Sequence, residues 1–382
     1  MNTIQDKKIA IIGAGPGGLT LARLLQMRGI NVKVYERDAH KDARPKGATL
    51  DLHDEFGLAA IRAAGLWDAF MANYRPGADA MRLTDKHGQI LLEDNQEKEG
   101  EHFRPEIDRG PLQSILLSSL KPGTVMWDRQ FVALTPQGNG WNIAFKNGSY
   151  AIADMVIAAD GANSKIRPYL TDIKPFYSGV TAVEGTVYQS AETVPQMHKL
   201  LNGGKIFAFG DAKSLIVSAK GDGSLVFYPG FKKEEQWARE SGIDFSDNAQ
   251  VLAWFKQEYA GWDSLWHQLF EKASGGFIPR PQYCMPLDQT WPAQANLTML
   301  GDAAHLMPPY AGEGVNMAML DALELSRELL DAKHLCTLSA IEIYEINMRK
   351  RAAEVAGITM QNTEALHADG AADFMMSMMS GV

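Results

Sequence analysis

The stretch "KIAIIGAGPGGLTLARLLQMRGINVKVYE", residues 8–36, decides the fold. Its β-branched opening, Lys8–Ile12, reads as a strand, and "GLTLARLLQMRG" sets apolar residues at helical spacing with Gly29 as C-cap. "NVKVYE" then alternates as a second strand. Two such strands joined by one helix form a βαβ unit, whose parallel sheet is expected to be buried on both faces. Between strand and helix, Gly13, Gly15 and Gly18 of "GAGPGG" follow the GxGxxG spacing. That spacing serves a tight turn, a close backbone approach to a pyrophosphate, and close helix-to-strand packing. The helix N-terminus adds partial positive charge towards the phosphates.

Glu36 ends the second strand, 23 positions after Gly13, where a carboxylate accepts the hydroxyls of an adenosine ribose and repels a 2′-phosphate. A tightly held dinucleotide is therefore expected to be FAD or NAD and not NADP. Arg37 beside it is either a surface cation or a stacking partner for adenine.

Outward from this unit, 382 residues leave room for two or three domains with a substantial core. With 46% hydrophobic and 22% charged residues, the composition is that of a soluble globular protein. A net charge of -9 without any Lys/Arg cluster argues against a nucleic-acid partner. The two cysteines, Cys284 and Cys336, lack CxxC spacing, which points to a reducing, cytoplasmic compartment. Pro16 and the glycines interrupt the apolar N-terminal run, and no charge-free span reaches the ~18 residues of a membrane helix. No membrane segment is expected. Paired histidine ligands, HExxH, GxSxG and P-loop patterns are missing as well, so no metal site is expected.

Further along, "GWNIAFKNGSYAI" reads as a hairpin and "DMVIAAD" (Asp154–Asp160) as a buried strand. From 174 to 279 short runs such as "KIFAFG", "SLIVSA" and "SLVFYPGF" suggest a separate antiparallel sheet, after which "LTML" resumes the parallel type. The expected organisation is a discontinuous first domain (1–78, 107–173 and 280–336), a second domain (79–106 and 174–279), and a C-terminal helix over 337–382. Ser339 and Glu342 have capping-box spacing for that helix, and the Met-rich end is either a frayed tail or an apolar cover.

Two further motifs sit at strand ends: Asp160-Gly161 in "AADGANSKIR" and Gly301-Asp302 in "MLGDAAHLMPPYAGEGVN". With the GxGxxG, they resemble the DG and GD motifs of the single-component flavin monooxygenases, the aromatic-hydroxylase class. The resemblance implies an α/β fold with a Rossmann-type FAD-binding domain, a mixed antiparallel substrate domain and a bridging C-terminal helix. It also implies transient reduction by NADPH, reaction with O2 through a flavin C4a-hydroperoxide, and hydroxylation of an electron-rich aromatic or polycyclic phenol or enol by a monomeric enzyme. Asp302 would hold a ribityl or ribose hydroxyl. Gly312, Gly314 and the helix starting near Val315 would turn amides towards the flavin pyrimidine edge. Arg109 in "DRGPLQSILL" would begin a helix beside the flavin, and Asp160 would serve FAD and nicotinamide together.

Within that class, "VYERD", "GATLDLH", "VMWDR" and "GDAAHLMPP" resemble the tetracycline-inactivating, Tet(X)-type enzymes, which implies a role in antibiotic resistance. By that resemblance Arg44 would meet NADPH and Asp51 would contact FAD. The substrate wall would comprise Glu184, Lys205, Phe207, Phe227, Pro309, Tyr310, Asn362 and Phe374. Glu and Lys at positions 184 and 205 depart from the Gln and Arg of those enzymes, which favours a different aromatic substrate. Two alternatives stay open: a flavin oxidoreductase that inserts no oxygen, and a flavoprotein that only binds or senses a polycyclic ligand.

Overall fold

A computed structural model describes residues 4–43, 49–95 and 104–380. The βαβ unit is present as strand Lys8–Ile12, helix Pro16–Gln26 and strand Asn31–Tyr35. The strands pair in parallel from Lys8 opposite Asn31 to Ile12 opposite Tyr35. They are central to a five-stranded parallel sheet in the order Leu297–Met299, Met155–Ala158, Lys8–Ile12, Asn31–Tyr35, Val125–Met126. All four residues of Met155–Ala158 are buried, as a strand covered on both faces requires. The expected hairpin forms as Gly140–Phe145 and Tyr150–Ala153, with Phe131–Gln137 as a third strand.

A second, seven-stranded sheet runs Ile278–Cys284, Phe176–Val187, Leu225–Lys232, Lys213–Ala219, Lys205–Gly210, Met81–Asp85, Ile90–Asp94. Its neighbours are antiparallel except Lys205–Gly210 beside Met81–Asp85. Pairing with Phe176–Val187 carries this sheet to Cys284, past the sequence-based boundary at 279. Glu106–Asp108 pairs with Thr49–Asp51 in a two-stranded ladder of its own.

Alternation along the strands gives the seven-stranded sheet two different faces. Val183, Ile206, Val217, Leu225, Phe227 and Phe231 pack with Trp254, Phe255, Trp266 and Phe270 of the helices behind it. The opposite face carries Phe207, Phe209 and Leu83 against Tyr310, Leu366 and Phe374.

The C-terminal helix begins one turn earlier than the capping-box reading. Cys336 is the N-cap, and the Ser339 hydroxyl donates to the Cys336 carbonyl at 2.9 Å instead of capping an amide. Starting there lets Thr337, Ala340 and Ile341 bury their side chains. The helix runs Thr337–Ala365, and the Met-rich end is a second helix, Ala371–Ser380. Phe374, Met375 and Met376 pack on the sheet, which decides for an apolar cover over a frayed tail.

Asp321 pins these layers together. Its Oδ2 accepts from the Gly301 amide at 2.9 Å and lies 2.6 Å from His305 Nε2, while Oδ1 accepts from Arg351 Nη2 at 2.7 Å. Arg351 Nη1 donates to Glu324 at 2.6 Å. Burial opposes ionisation of Asp321, but His305, Arg351 and the Gly301 amide outweigh it and hold the carboxyl below its ordinary range. Removing a buried partner from such a network costs about 3–5 kcal/mol. Asp321→Ala is thus expected to lose stability on that scale in urea unfolding of the apoprotein; a loss under about 1 kcal/mol, the level of an exposed pair, would contradict the assignment.

Candidate functional site

The first half of the site is the mouth of the βαβ unit. Gly13 has φ +112°, and a Cβ there would sit 2.2 Å from the Ala159 carbonyl oxygen, so only glycine lets the first strand end against "AADG". A Cβ on Gly18 would meet the Gly13 oxygen at 2.2 Å, and one on Gly17 the Ala318 oxygen at 2.8 Å. Gly17, which the motif spacing does not single out, thereby admits the helix Gly314–Leu330. At Gly15 nothing lies within 4 Å, and as N-cap it offers no side-chain bond to the helix amides. The helix N-terminus opens onto that space. Glu36 is buried, with Oε2 accepting from the Ala14 amide at 2.7 Å and Oε1 from the Asp38 amide at 3.1 Å. It ties the glycine loop to the second strand. Arg37 is exposed.

The second half is assembled from four distant segments. Asp160 Oδ2 accepts from the Lys165 amide at 2.8 Å, while its Oδ1 is buried without a hydrogen bond. Burial raises its carboxyl above the ordinary range, more than bonds from Ser164 and Lys165 lower it. Asp302 begins the short helix Asp302–His305 and has no hydrogen-bond partner among the described residues. Burial raises its carboxyl as well, with His305 and Arg109 pulling the other way. Arg109 is the exposed first residue of helix Arg109–Ser118. Gly312, with φ +71°, lies beside Asp51: a Cβ would come within 3.3 Å of Oδ1. Gly314 and Val315 open the helix Gly314–Leu330 next to Asp302.

Three residues that no expectation singled out hold this half in place. His53 Nε2 pairs with Asp51 Oδ2 at 3.0 Å and Nδ1 with Glu313 Oε1 at 3.1 Å. Burial lowers its basicity, but the two carboxylates outweigh that and raise its pKa to about 9. Asn316 Oδ1 accepts from the His53 amide at 2.9 Å, and its Nδ2 donates to the Asp51 carbonyl at 3.0 Å. Arg167, buried at the end of "DGANSKIR", donates to the carbonyls of Ala303 and Ala304 at 3.1 and 2.9 Å and so locks the DG segment to the GD helix. Desolvation brings its pKa down to about 10. An arginine seven positions after the DG aspartate was the available signal.

A sequence model of the FAD binding domain matches residues 6–199 and 291–357. The chain belongs to that family. Monooxygenase asqM of Emericella nidulans is 29% identical over 443 residues, which cover 98% of this chain and 99% of that protein. The 6-hydroxynicotinate 3-monooxygenase of Pseudomonas fluorescens is 26% identical, covering 94% and 92% respectively. The crystal structure of tetracycline destructase Tet(55) superposes with a TM-score of 0.76 at 20% identity, covering 98% of this chain and 95% of that one, a likeness of fold.

The open helix start at Gly15, the Glu36 carboxylate, Asp160 Oδ1, which has no hydrogen bond among the described residues, and Asp302 are the donors and acceptors available for an FAD. These fit a dinucleotide's phosphates and hydroxyls. The residues expected around a substrate divide. Phe207, Tyr310 and Phe374 meet in one apolar cluster, and Asn362 Nδ2 donates to the Tyr310 carbonyl at 3.2 Å. Pro309 is exposed at the same loop. Phe227 does not join them, because strand alternation turns it into the aromatic core behind the sheet, against Phe270 and Phe277. Lys205 forms an ion pair with buried Glu106, and Glu184 pairs with Arg280 at 2.9 Å. Arg44 lies outside the described residues.

Two outcomes test the FAD site. Asp302→Ala removes an acceptor that no donor among the described residues uses, so FAD affinity should fall about tenfold or more in a fluorescence titration, while the unfolding midpoint of the apoprotein stays or rises. His53, with a folded pKa of about 9 against an ordinary 6.5, contributes stability fully present below pH 6.5 and lost as pH rises through 9. The shift corresponds to at most about 3 kcal/mol. In His53→Gln, the alkaline loss of stability between those limits should flatten.

Proposed function

We propose that the protein is an FAD-dependent monooxygenase that hydroxylates an electron-rich aromatic or polycyclic phenol or enol, using NADPH and O2 and acting as a cytoplasmic monomer. The observation that carries this reading is one loop. Residues 306–313, Gly312 among them, link the helix begun by Asp302 to the helix begun by Gly314, and the same loop lays Tyr310 on the aromatic sheet face with Phe207 and Phe374. Cofactor half and apolar face thus share a wall. The relatives named as monooxygenases along nearly their whole length support the oxygen-inserting reading over an oxidoreductase without it.

Bound FAD would supply electron transfer from the nicotinamide donor and the activation of O2. The chain's own residues do the rest. The amides at the helix start after Gly15 and the Glu36 carboxylate hold the adenosine diphosphate half. Asp302, Asp160 and Arg109 hold the polar chain and flank the ring, and the amides at Gly312 to Val315 offer donors where negative charge collects on reduction. Phe207, Phe209, Phe374 and Met375 keep water from the reacting face, which confines the chemistry to a placed substrate. Because Lys205 and Glu184 are already partnered, the sheet face offers an aromatic wall more than a charged clamp. That favours a neutral phenol over a strongly anionic substrate.

Mass spectrometry after aerobic incubation of the holoenzyme with NADPH and a panel of simple phenols, naphthols, anthracyclines and tetracyclines tests the reading. At least one phenol or enol should gain a single oxygen atom with NADPH consumed in step. Peroxide release with every compound and no heavier product would overturn it.

A further inference from the structure

A buried polar cluster sits where the end of the long helix meets the apolar sheet face. His367 is fully buried, with Nδ1 2.8 Å from the Thr363 carbonyl and Nε2 3.1 Å from Ser214 Oγ and 3.4 Å from the Tyr310 hydroxyl. A carbonyl can only accept, so Nδ1 carries the proton. Burial lowers the imidazole pKa to about 4, which keeps the ring neutral and leaves Nε2 an acceptor. Ser214 and Tyr310 are the hydroxyls that can donate to it. Gly230 makes room for the convergence: a Cβ there would lie 2.5 Å from Ser214 Oγ, 2.7 Å from His367 Nε2 and 3.1 Å from Tyr310 Oη. The rings of Tyr310 and His367 meet edge to face at 4.9 Å. At its other end, Tyr310 is held through its carbonyl by Asn362 Nδ2 at 3.2 Å.

We propose that His367 and Asn362 are positioning residues that grip Tyr310 by its hydroxyl and its carbonyl, so that the C-terminal end of the long helix sets the loop wall against which an aromatic substrate is placed. The inference rests on the monooxygenase reading for the word substrate, while the grip itself stands on the geometry. Neither residue touches the FAD-facing groups Asp302 or Gly314 in the hydrogen bonds they make, so the grip bears on ligand placement more than on cofactor retention.

Three variants of the holoenzyme test it: Tyr310→Phe removes the hydroxyl and keeps the ring, His367→Met removes the acceptor, and His367→Gln restores an acceptor near the position of Nε2. The probe is 1-naphthol, titrated through the flavin absorbance. Tyr310→Phe and His367→Met should each weaken binding about tenfold, the double variant should be no weaker than either single one, and His367→Gln should recover to within about threefold of the parent. FAD affinity should change less than about threefold in all of them. Additive losses, or a loss in His367→Met with none in Tyr310→Phe, would overturn the proposal and leave His367 a packing residue. Separately, the 15N resonance of His367 Nε2, assigned by its loss in His367→Gln, should show an unprotonated nitrogen that shifts in Tyr310→Phe. If no phenol binds or is hydroxylated, the functional reading fails while this resonance still decides the grip; an unshifted resonance overturns it.

Discussion

The carboxylate of Asp321 is the point on which the cofactor half of this protein depends. It accepts from the Gly301 amide, faces His305 and receives Arg351, so one buried group joins the end of the last parallel strand, the short GD helix, the helix Gly314–Leu330 and the long C-terminal helix. An unpaired carboxylate so buried would be costly, and the network converts that cost into a fixed geometry. Asp302 begins the helix that His305 ends, and its carboxyl has no hydrogen-bond partner among the described residues.

A division of labour follows among groups that look alike in sequence. His305 and Arg167 are structural: one partners Asp321, and the other takes the carbonyls of Ala303 and Ala304. Asp160 keeps a buried Oδ1 without a hydrogen bond and Asp302 has no hydrogen-bond partner among the described residues, and burial raises both carboxyls. His53 goes further, since two carboxylates keep it charged in a setting where burial alone would neutralise it. The loop between the halves is held from both sides, by Glu313 and Asn316 through His53 and Asp51, and by Asn362 and His367 at the sheet.

Much of the cofactor half was legible because its chemistry is local. Gly18 answers to the Gly13 oxygen five residues back, Gly13 to a positive φ as well as to the distant Ala159 oxygen, and Glu36 to a strand end that periodicity locates. Position 17 escaped because its neighbour, Ala318, is three hundred residues away. On the substrate side the legible part was smaller. Aromatic residues at 207, 227, 310 and 374 look equivalent in sequence, yet strand parity sends Phe227 behind the sheet and Phe207 in front, where a loop brings Tyr310 and the last helix brings Phe374. Residues 205 and 184 read as free charges until their partners Glu106 and Arg280 are brought alongside.

The sequence by itself determined the parallel βαβ unit, the three ordered cofactor motifs and the separate antiparallel sheet, since each is written in spacings of a few residues that backbone geometry enforces. Only the tertiary structure decided which charges are cancelled, which face of the sheet each aromatic serves, and that His367, which no motif marks, meets Tyr310. Those outcomes depend on pairs of groups distant along the chain, where burial makes an unpartnered charge or hydroxyl costly and so selects the partner that the fold brings into reach.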